Sequence, residues 1–257
     1  MPDYNRTTSV NISSNTLFHF TPSIDKVKGI LAKGFIPHYC LENWQDGTIE
    51  FAIPMISFCD LPLFLIRSHL DFYGDRSYGL GLSKQWGMDH SVTPVLYVHK
   101  KTKLQYLFEN LNATNPQEEE VRRELKDKLV DAVLTFVSHV KPYEGKLWRE
   151  NAYREDIRFY NEREWRLVPN DIPSELRLLI KPDFLNKAKR ETAEEQLALK
   201  SRLSFTPDDV KYIILKDDSE VPEMIDFIDR TFRDSRHESV EILKTCIITA
   251  DVIAEDF

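Results

Sequence analysis

Short apolar runs, each ended by a residue that starts a helix or a turn, fill the N-terminal part of the sequence. The first run, LFHF at residues 17–20, predicts a buried strand. Thr21 and Pro22 follow it as the expected N-cap and first residue of a helix, and Gly34 is the expected C-cap. The apolar face of this helix consists of Ile24, Val27, Ile30 and Leu31.

Strands and helices continue to alternate as far as residue 100. The pattern predicts a loop with one short strand at 36–53, a strand at 54–62, a helix at 63–74, and strands at 77–87 and 94–100. Gly79 and Gly81 lie in one of these strands, where the missing side chains leave room for another backbone or a ligand.

Helical spacing dominates the middle of the chain, and mixed elements follow. Residues 101–111 and 114–140 each predict an amphipathic helix, the second with a glutamate-rich first turn that suits the helix dipole. Further expected elements are strands at 163–169, 176–180, 210–217 and 241–249 and helices at 186–201 and 221–232. The sequence therefore predicts one α+β domain over residues 1–257, with a helical insertion at about 101–145.

Composition places the chain among soluble globular proteins. Its 257 residues are 42% hydrophobic and 30% charged, and no apolar run approaches the roughly 20 residues that span a bilayer. We expect no membrane partner and no secretory signal, and three widely spaced cysteines fit a reducing cytoplasm. Residues 1–110 hold ten basic and ten acidic side chains, so the net charge of −8 arises entirely in 111–257. Such a charge disfavours broad binding to duplex DNA.

The segment YNEREWR is the most informative candidate for chemistry. Strand alternation places Glu162, Glu164 and Arg166 on one face and Trp165 and Leu167 on the other. A carboxylate beside Arg166 stays ionised and would suit a reaction with an oxocarbenium-like state. The alternative is an exposed salt bridge on an edge strand, which contributes little to stability.

Other candidates are a histidine at a strand end and a glycine-rich aromatic stretch. His19 lies close to a predicted helix N-terminus, where ligands often bind, but taken alone it is better explained as a histidine bonded to backbone in a half-buried strand. Tyr73 completes an apolar helix stripe, and Tyr78 lies beside two glycines. The sequence lacks the HExxH, P-loop, GxSxG and GxGxxG patterns, and Cys59 is expected to be a buried thiol. We expect that these candidate residues bind no metal ion.

Five segments together resemble the AbiGi family of bacterial abortive-infection proteins. They are LFHFT…IL..GF.P, PMISFCDLPL, HLDFYG…YGLGLSKQWG…PVLY, YNEREWRLVP and IITADVIAEDF, which occur in order over most of the chain. The resemblance implies a phage-resistance protein, usually the antitoxin of a two-gene system.

A more distant resemblance concerns mechanism. HFT followed by IL..GF is similar to the openings of a toxin that modifies DNA bases and of poly(ADP-ribose) polymerases. This resemblance to ADP-ribosyltransferases implies a mixed or antiparallel sheet core and NAD as co-substrate. It assigns the catalytic roles to His19, to Tyr73 or Tyr78 as the stacking aromatic, and to Glu164, with Glu162 as its nearest substitute. The NAD-binding candidates are His19, Thr21, Tyr73, Tyr78, Arg67 and Lys84, the last two for the pyrophosphate.

These observations lead to three hypotheses. The first is a phage-defence protein that transfers ADP-ribose to a nucleic acid or protein target, or hydrolyses NAD. The second is a non-catalytic antitoxin or regulator that binds a partner toxin or promoter DNA, for which the acidic residues 111–257 would suit a basic partner. The third is a metal-dependent nuclease built on the clustered carboxylates.

Overall fold

A computed structural model describes residues 13–44, 49–73, 78–99, 132–149 and 152–256. Its strands are β1 (Thr16–Thr21), β2 (His38–Trp44), β3 (Ile49–Cys59), β4 (Tyr78–Ser83), β5 (Thr93–Pro94), β6 (Leu96–Val98), β7 (Val140–Pro142), β8 (Gly145–Arg149), β9 (Ala152–Ile157), β10 (Glu164–Leu167), β11 (Leu179–Ile180), β12 (Val210–Leu215) and β13 (Ile247–Thr249). Its helices are α1 (Ile24–Lys33), α2 (Leu63–Tyr73), α3 (Lys84–Asp89), α4 (Lys181–Leu185), α5 (Lys187–Lys200), α6 (Val221–Thr231), α7 (His237–Thr245) and α8 (Ala250–Asp256), and residues 132–138 are also helical.

The chain divides into two compact units. Unit 1 comprises residues 1–33, 58–89 and 205–257, and unit 2 comprises 34–57 and 90–204. Both units mix strands with helices, so the expected α+β class is confirmed. No helix among the described residues is both long and apolar enough to cross a bilayer.

Unit 1 is built on a mixed sheet whose strand order is β13-β12-β4-β1, with the last residues of β3 beside β1. β1 and β12 each pair antiparallel with β4, and β13 pairs parallel with β12. Alternation along β1 sends Phe18 and Phe20 to one face, where they join a buried cluster with Ile66 of α2 and Ile253 of α8. His19 and Thr21 point to the opposite face.

The glycines of β4 make space for the aromatic rings of β1. A Cβ atom on Gly81 would lie 2.8 Å from Phe18 Cε1 and 2.8 Å from Thr16 Cγ2. We expect Gly81→Ala to lower the free energy of unfolding by about 1–3 kcal/mol, because the added methyl overpacks a buried sheet face. Urea unfolding of Gly81→Ala measures this loss, with Gly29→Ala as the control because a Cβ at Gly29 meets nothing within 4 Å. Equal unfolding midpoints for the two variants would contradict the prediction.

Unit 2 contains both antiparallel and parallel pairs of strands. β2 and β3 pair antiparallel over seven residues, β11 adds to β3, and β10 lies between β3 and β5. β6 pairs parallel with β7, while β8 and β9 form a hairpin. A buried cluster that includes Tyr39, Phe184 and Leu197 packs α4 and α5 onto β2.

The structure corrects several boundaries of the sequence prediction. Helix α1 begins at Ile24, and Ser23 Oγ accepts the Lys26 N–H at 3.4 Å, so the expected start at Thr21 and Pro22 is wrong. Gly34 follows α1 with a φ of 77°, as a C-cap requires. The expected loop with one short strand at 36–53 instead contains the whole of β2 and the first residues of β3, and most of the expected strand at 241–249 belongs to α7.

The helical insertion falls largely outside the described residues. Residues 132–138 are helical, as expected, but 140–142 and 145–149 are strands rather than the end of an insertion. The single-domain organisation stays a prediction.

Candidate functional site

Strand β10 carries its charged side chains on the buried face. Glu164 is 4% exposed and Arg166 is fully buried, whereas Trp165 and Leu167 are half-buried. The expected shared face of Glu164 and Arg166 is confirmed, whereas Glu162, expected on the same strand face, lies in the turn Phe159–Glu162 before β10. The alternative of an exposed edge-strand salt bridge is wrong, because β10 has a neighbour on each side.

Donors from three elements of unit 2 meet at the carboxylate of Glu164. Its Oε1 accepts hydrogen bonds from Ser57 Oγ at 2.8 Å and from Arg166 Nε at 2.6 Å. Its Oε2 accepts from Lys141 Nζ at 2.6 Å and from an Arg166 terminal nitrogen at 3.1 Å. Both carboxylate oxygens are therefore engaged by cations of the chain itself.

The two cations extend the network to further groups. Arg166 also donates to Glu42 Oε1 at 2.5 Å and to the Ser138 carbonyl at 3.0 Å. Lys141 Nζ donates to Glu162 Oε2 at 2.9 Å and lies 4.7 Å from the centre of the Phe159 ring. We call Glu42, Lys141, Glu162, Glu164 and Arg166 the ion cluster. It joins β10 to β2 and β7 and to the turn Phe159–Glu162.

The electrostatics of the ion cluster keep Glu164 ionised. Burial raises the pKa of Glu164, but Arg166 and Lys141 lower it more, so it lies well below its ordinary value. Burial also raises the pKa of Glu42, and here Arg166 and Lys141 do not fully offset the rise. The pKa values of Lys141 and Arg166 lie above their ordinary values, because the attraction of the carboxylates outweighs burial.

This arrangement links β2, β3, β7 and β10 inside unit 2. A substrate hydroxyl can bond to Glu164 only by displacing a charged donor, Lys141 or Arg166, or the half-buried hydroxyl of Ser57. Among the described residues, no group of three or more histidine, cysteine, aspartate or glutamate side chains is placed to hold a metal ion. The geometry is that of a buried salt-bridge network.

Three other sequence candidates share one face of the unit 1 sheet. Thr21 lies opposite Tyr78 and His19 lies opposite Leu80 in the β1–β4 register, so His19, Thr21 and Tyr78 point the same way. His19 is half-buried and meets the Phe58 ring edge-on, with centroids 5.8 Å apart. Thr21 Oγ1 donates to the Ser23 carbonyl at 3.3 Å.

Tyr78 is hydrogen-bonded to the 3-10 turn Asp218–Glu220, which directly precedes α6. Its hydroxyl donates to Glu220 Oε1 at 2.7 Å. Burial, followed by this hydrogen bond and the Glu220 charge, raises the pKa of Tyr78 to about 12. The phenol therefore stays protonated at neutral pH.

The remaining candidates also belong to unit 1. Lys84 Nζ lies 2.8 Å from Asp60 Oδ1 and 2.8 Å from Ser13 Oγ, and Arg67 donates to the Ala254 carbonyl at 2.5 Å. Tyr73 is the last residue of α2, and its side chain lies outside the described part of the structure. The structure thus brings His19, Thr21 and Tyr78 together on one sheet face of unit 1 and places Glu164 in unit 2.

Comparison with known proteins decides the family. A family model described as "Putative abortive phage resistance protein AbiGi, antitoxin" matches residues 33–216, which is more than half of the chain. The chain belongs to the AbiGi family. It is similar to the abortive phage resistance protein AbiGi of Lactococcus lactis subsp. cremoris, with 26% identity over 260 residues, 87% of this chain and 99% of that protein.

The AbiGi match covers one part of the predicted site and leaves out another. Residues 33–216 include the whole ion cluster and Tyr78, whereas His19 and Thr21 lie outside the match. No solved structure matches the chain, and the ADP-ribosyltransferase fold stays a prediction. The family assignment rests on the region that contains the ion cluster.

Sequence reasoning missed three partners of Glu164 and Arg166 in this AbiGi chain. Glu42 and Lys141 are isolated charges with no charged neighbour on either side, and Ser57 lies within a hydrophobic strand. Nothing in their local pattern links them to β10, which is 124 residues from Glu42. The alternation of EREWR identified Glu164 and Arg166, but a pairing over such a distance has no local signal.

Proposed function

We propose that this abortive-infection protein is an antitoxin that acts by binding a partner toxin, without catalysis of its own. The observation that carries the proposal is the match of residues 33–216 to the AbiGi antitoxin family. The toxin is expected to be the product of the adjacent gene, since the resemblance implies a two-gene system.

The state of Glu164 supports a binding role. A transferase of the predicted kind needs its glutamate to hold a ribose hydroxyl, yet this carboxylate already accepts four hydrogen bonds from Ser57, Lys141 and Arg166. Breaking a buried charged pair is costly. The ion cluster is better suited to keeping the surface of unit 2 in one shape, which is what a binding protein requires.

Charge supports a protein partner over promoter DNA. The chain carries a net charge of −8, which repels phosphate and attracts a protein with excess positive charge. Long-range attraction of this kind speeds association with a toxin. The same negative charge does not speed association with a DNA duplex.

The test is co-expression with the product of the adjacent gene. We expect that product alone to arrest growth of its host, and this chain to restore growth to at least about half of the uninduced rate. Purified, the two proteins should elute together from a gel-filtration column. The same preparation is also tested with a fluorescent promoter fragment, the ligand expected of a DNA-binding regulator, and with NAD, the ligand expected of a transferase.

Three outcomes would contradict the proposal. Growth arrest caused by this chain itself would reverse its role. Release of nicotinamide from NAD, lost in a folded Glu164→Gln variant, would favour the transferase hypothesis. Binding of the promoter fragment without binding of the adjacent-gene product would make the chain a DNA-binding regulator.

A further inference from the structure

An aromatic cluster lies on the surface of unit 2 beside the ion cluster. The rings of Tyr143 and Tyr160 stack with centroids 5.3 Å apart and an angle of 26° between their planes. Tyr97 meets Tyr160 edge-on at 5.3 Å, and the Arg158 guanidinium lies 5.9 Å from the centre of the Tyr143 ring. We call Tyr97, Tyr143, Tyr160 and Arg158 the tyrosine patch.

Backbone hydrogen bonds hold the tyrosine patch in place. The Tyr143 N–H donates to the Val98 carbonyl at 2.9 Å, and the Tyr160 N–H donates to the Tyr143 carbonyl at 3.2 Å. The Glu164 N–H donates to the Tyr97 hydroxyl at 2.8 Å. These bonds fix the backbone at Tyr143 and Tyr160 and the hydroxyl of Tyr97 before any partner arrives, which lowers the entropy cost of binding.

The patch is accessible to a partner. Tyr160 is 44% exposed, Arg158 is also exposed, and Tyr97 and Tyr143 are half-buried. In the part of the chain that the structure describes, no carboxylate forms an ion pair with Arg158. The surface thus offers stacked rings and an exposed guanidinium whose charge has no partner among the described carboxylates.

We propose that the tyrosine patch is the surface through which this chain binds its toxin, an inference that rests on the proposed function. Tyrosine and arginine are the residue types that dominate the binding energy of protein interfaces, especially when rigid and clustered. The matching segment of the toxin presents a carboxylate to Arg158 beside an apolar or aromatic side chain that packs on Tyr160. This local contact is compatible with a toxin that is basic overall.

The patch is less suited to single-stranded nucleic acid. Stacked aromatic rings can bind bases, but such sites also need a groove of cations that follows the phosphates. Among the described residues, the cation over these rings is that of Arg158, and the chain as a whole is acidic. A protein partner therefore fits the observations better.

The experiment measures binding of the purified adjacent-gene product to the full chain and to surface variants. We expect Tyr160→Ala and Arg158→Ala each to weaken binding at least tenfold, while Tyr160→Phe, which keeps the ring, stays within about threefold. Phe64→Ala and Arg202→Ala are matched controls, since Phe64 is an aromatic residue of similar exposure, at 41%, and Arg202 is also exposed. Circular dichroism and melting temperature confirm that each variant is folded.

The outcomes separate this inference from the proposed function. If the parent chain binds and both patch variants bind within twofold of it, the patch is not the docking surface, although the antitoxin role stands. If the parent chain fails to bind, the proposed function fails first, and the inference with it. If Tyr160→Ala loses binding of a labelled 20-nucleotide oligo(dT) but keeps binding of the protein, the patch is a nucleic-acid site and the inference is overturned.

Discussion

Replacing Arg166 with methionine is expected to lower the free energy of unfolding by about 3–5 kcal/mol. The guanidinium is fully buried and bonds to Glu164, Glu42 and the Ser138 carbonyl. Methionine fills similar volume but leaves two carboxylates buried without their main cation. Urea unfolding, followed by the intrinsic fluorescence of the chain's four tryptophans, measures the loss.

Two controls show whether this loss comes from the buried network. Lys187→Met removes a cation from the exposed Lys187–Glu191 pair and should change stability by less than about 0.5 kcal/mol. Arg166→Lys keeps the charge but not the planar fork, so we expect an intermediate loss. An Arg166→Met midpoint equal to that of Lys187→Met would mean that the ion cluster does not stabilise unit 2.

Two glutamate-to-glutamine changes in the ion cluster should differ in their effect on the free energy of unfolding. At neutral pH, Glu164→Gln is expected to lower the free energy of unfolding by about 3 kcal/mol, because Arg166 and Lys141 lose the carboxylate that both contact. Glu42→Gln should leave it unchanged or raise it, since three carboxylates face two cations and burial already raises the pKa of Glu42. A larger loss for Glu42→Gln than for Glu164→Gln would contradict this assignment.

The same two variants should separate by pH. The folded pKa of Glu164 lies below its unfolded value of about 4.3, so its stabilising contribution is complete above that value and is lost as the pH falls. The folded pKa of Glu42 is raised, so its contribution is present at acidic pH and is lost as the pH rises. The free energy of unfolding, measured between pH 3 and 7, should therefore depend less on pH than in the unchanged protein. For Glu164→Gln this difference is expected at the acidic end, and for Glu42→Gln above about pH 4.5.

Part of the site followed from local sequence pattern, and the rest depends on long-range packing. Alternation in EREWR correctly placed Glu164 and Arg166 on one face, because side-chain direction in a strand is a local property. Which face is buried is decided by neighbouring strands, and a charged face became the inner one because Lys141 and Glu42 complete it. No pattern within β10 encodes those distant partners.

The fold shows the same division between local and distant causes. The strand at residues 17–20 and the glycine C-cap at Gly34 were predicted correctly, since both depend on neighbouring residues. The start of α1 was misplaced because Thr21 is held in β1 by its pairing with Tyr78, which leaves Ser23 to cap the helix. The segment 36–53 has little apolar alternation, yet β2 forms there by pairing with β3.

The proposed mode of action of this AbiGi-family chain is the binding of a protein partner. Calorimetric titration of the purified adjacent-gene product into the full chain, in buffer without NAD, tests it. We predict saturable binding with one partner per chain and a Kd below about 1 μM, unchanged when NAD is added. No heat of binding, together with nicotinamide release once NAD is supplied, would contradict this mode of action and favour the transferase hypothesis.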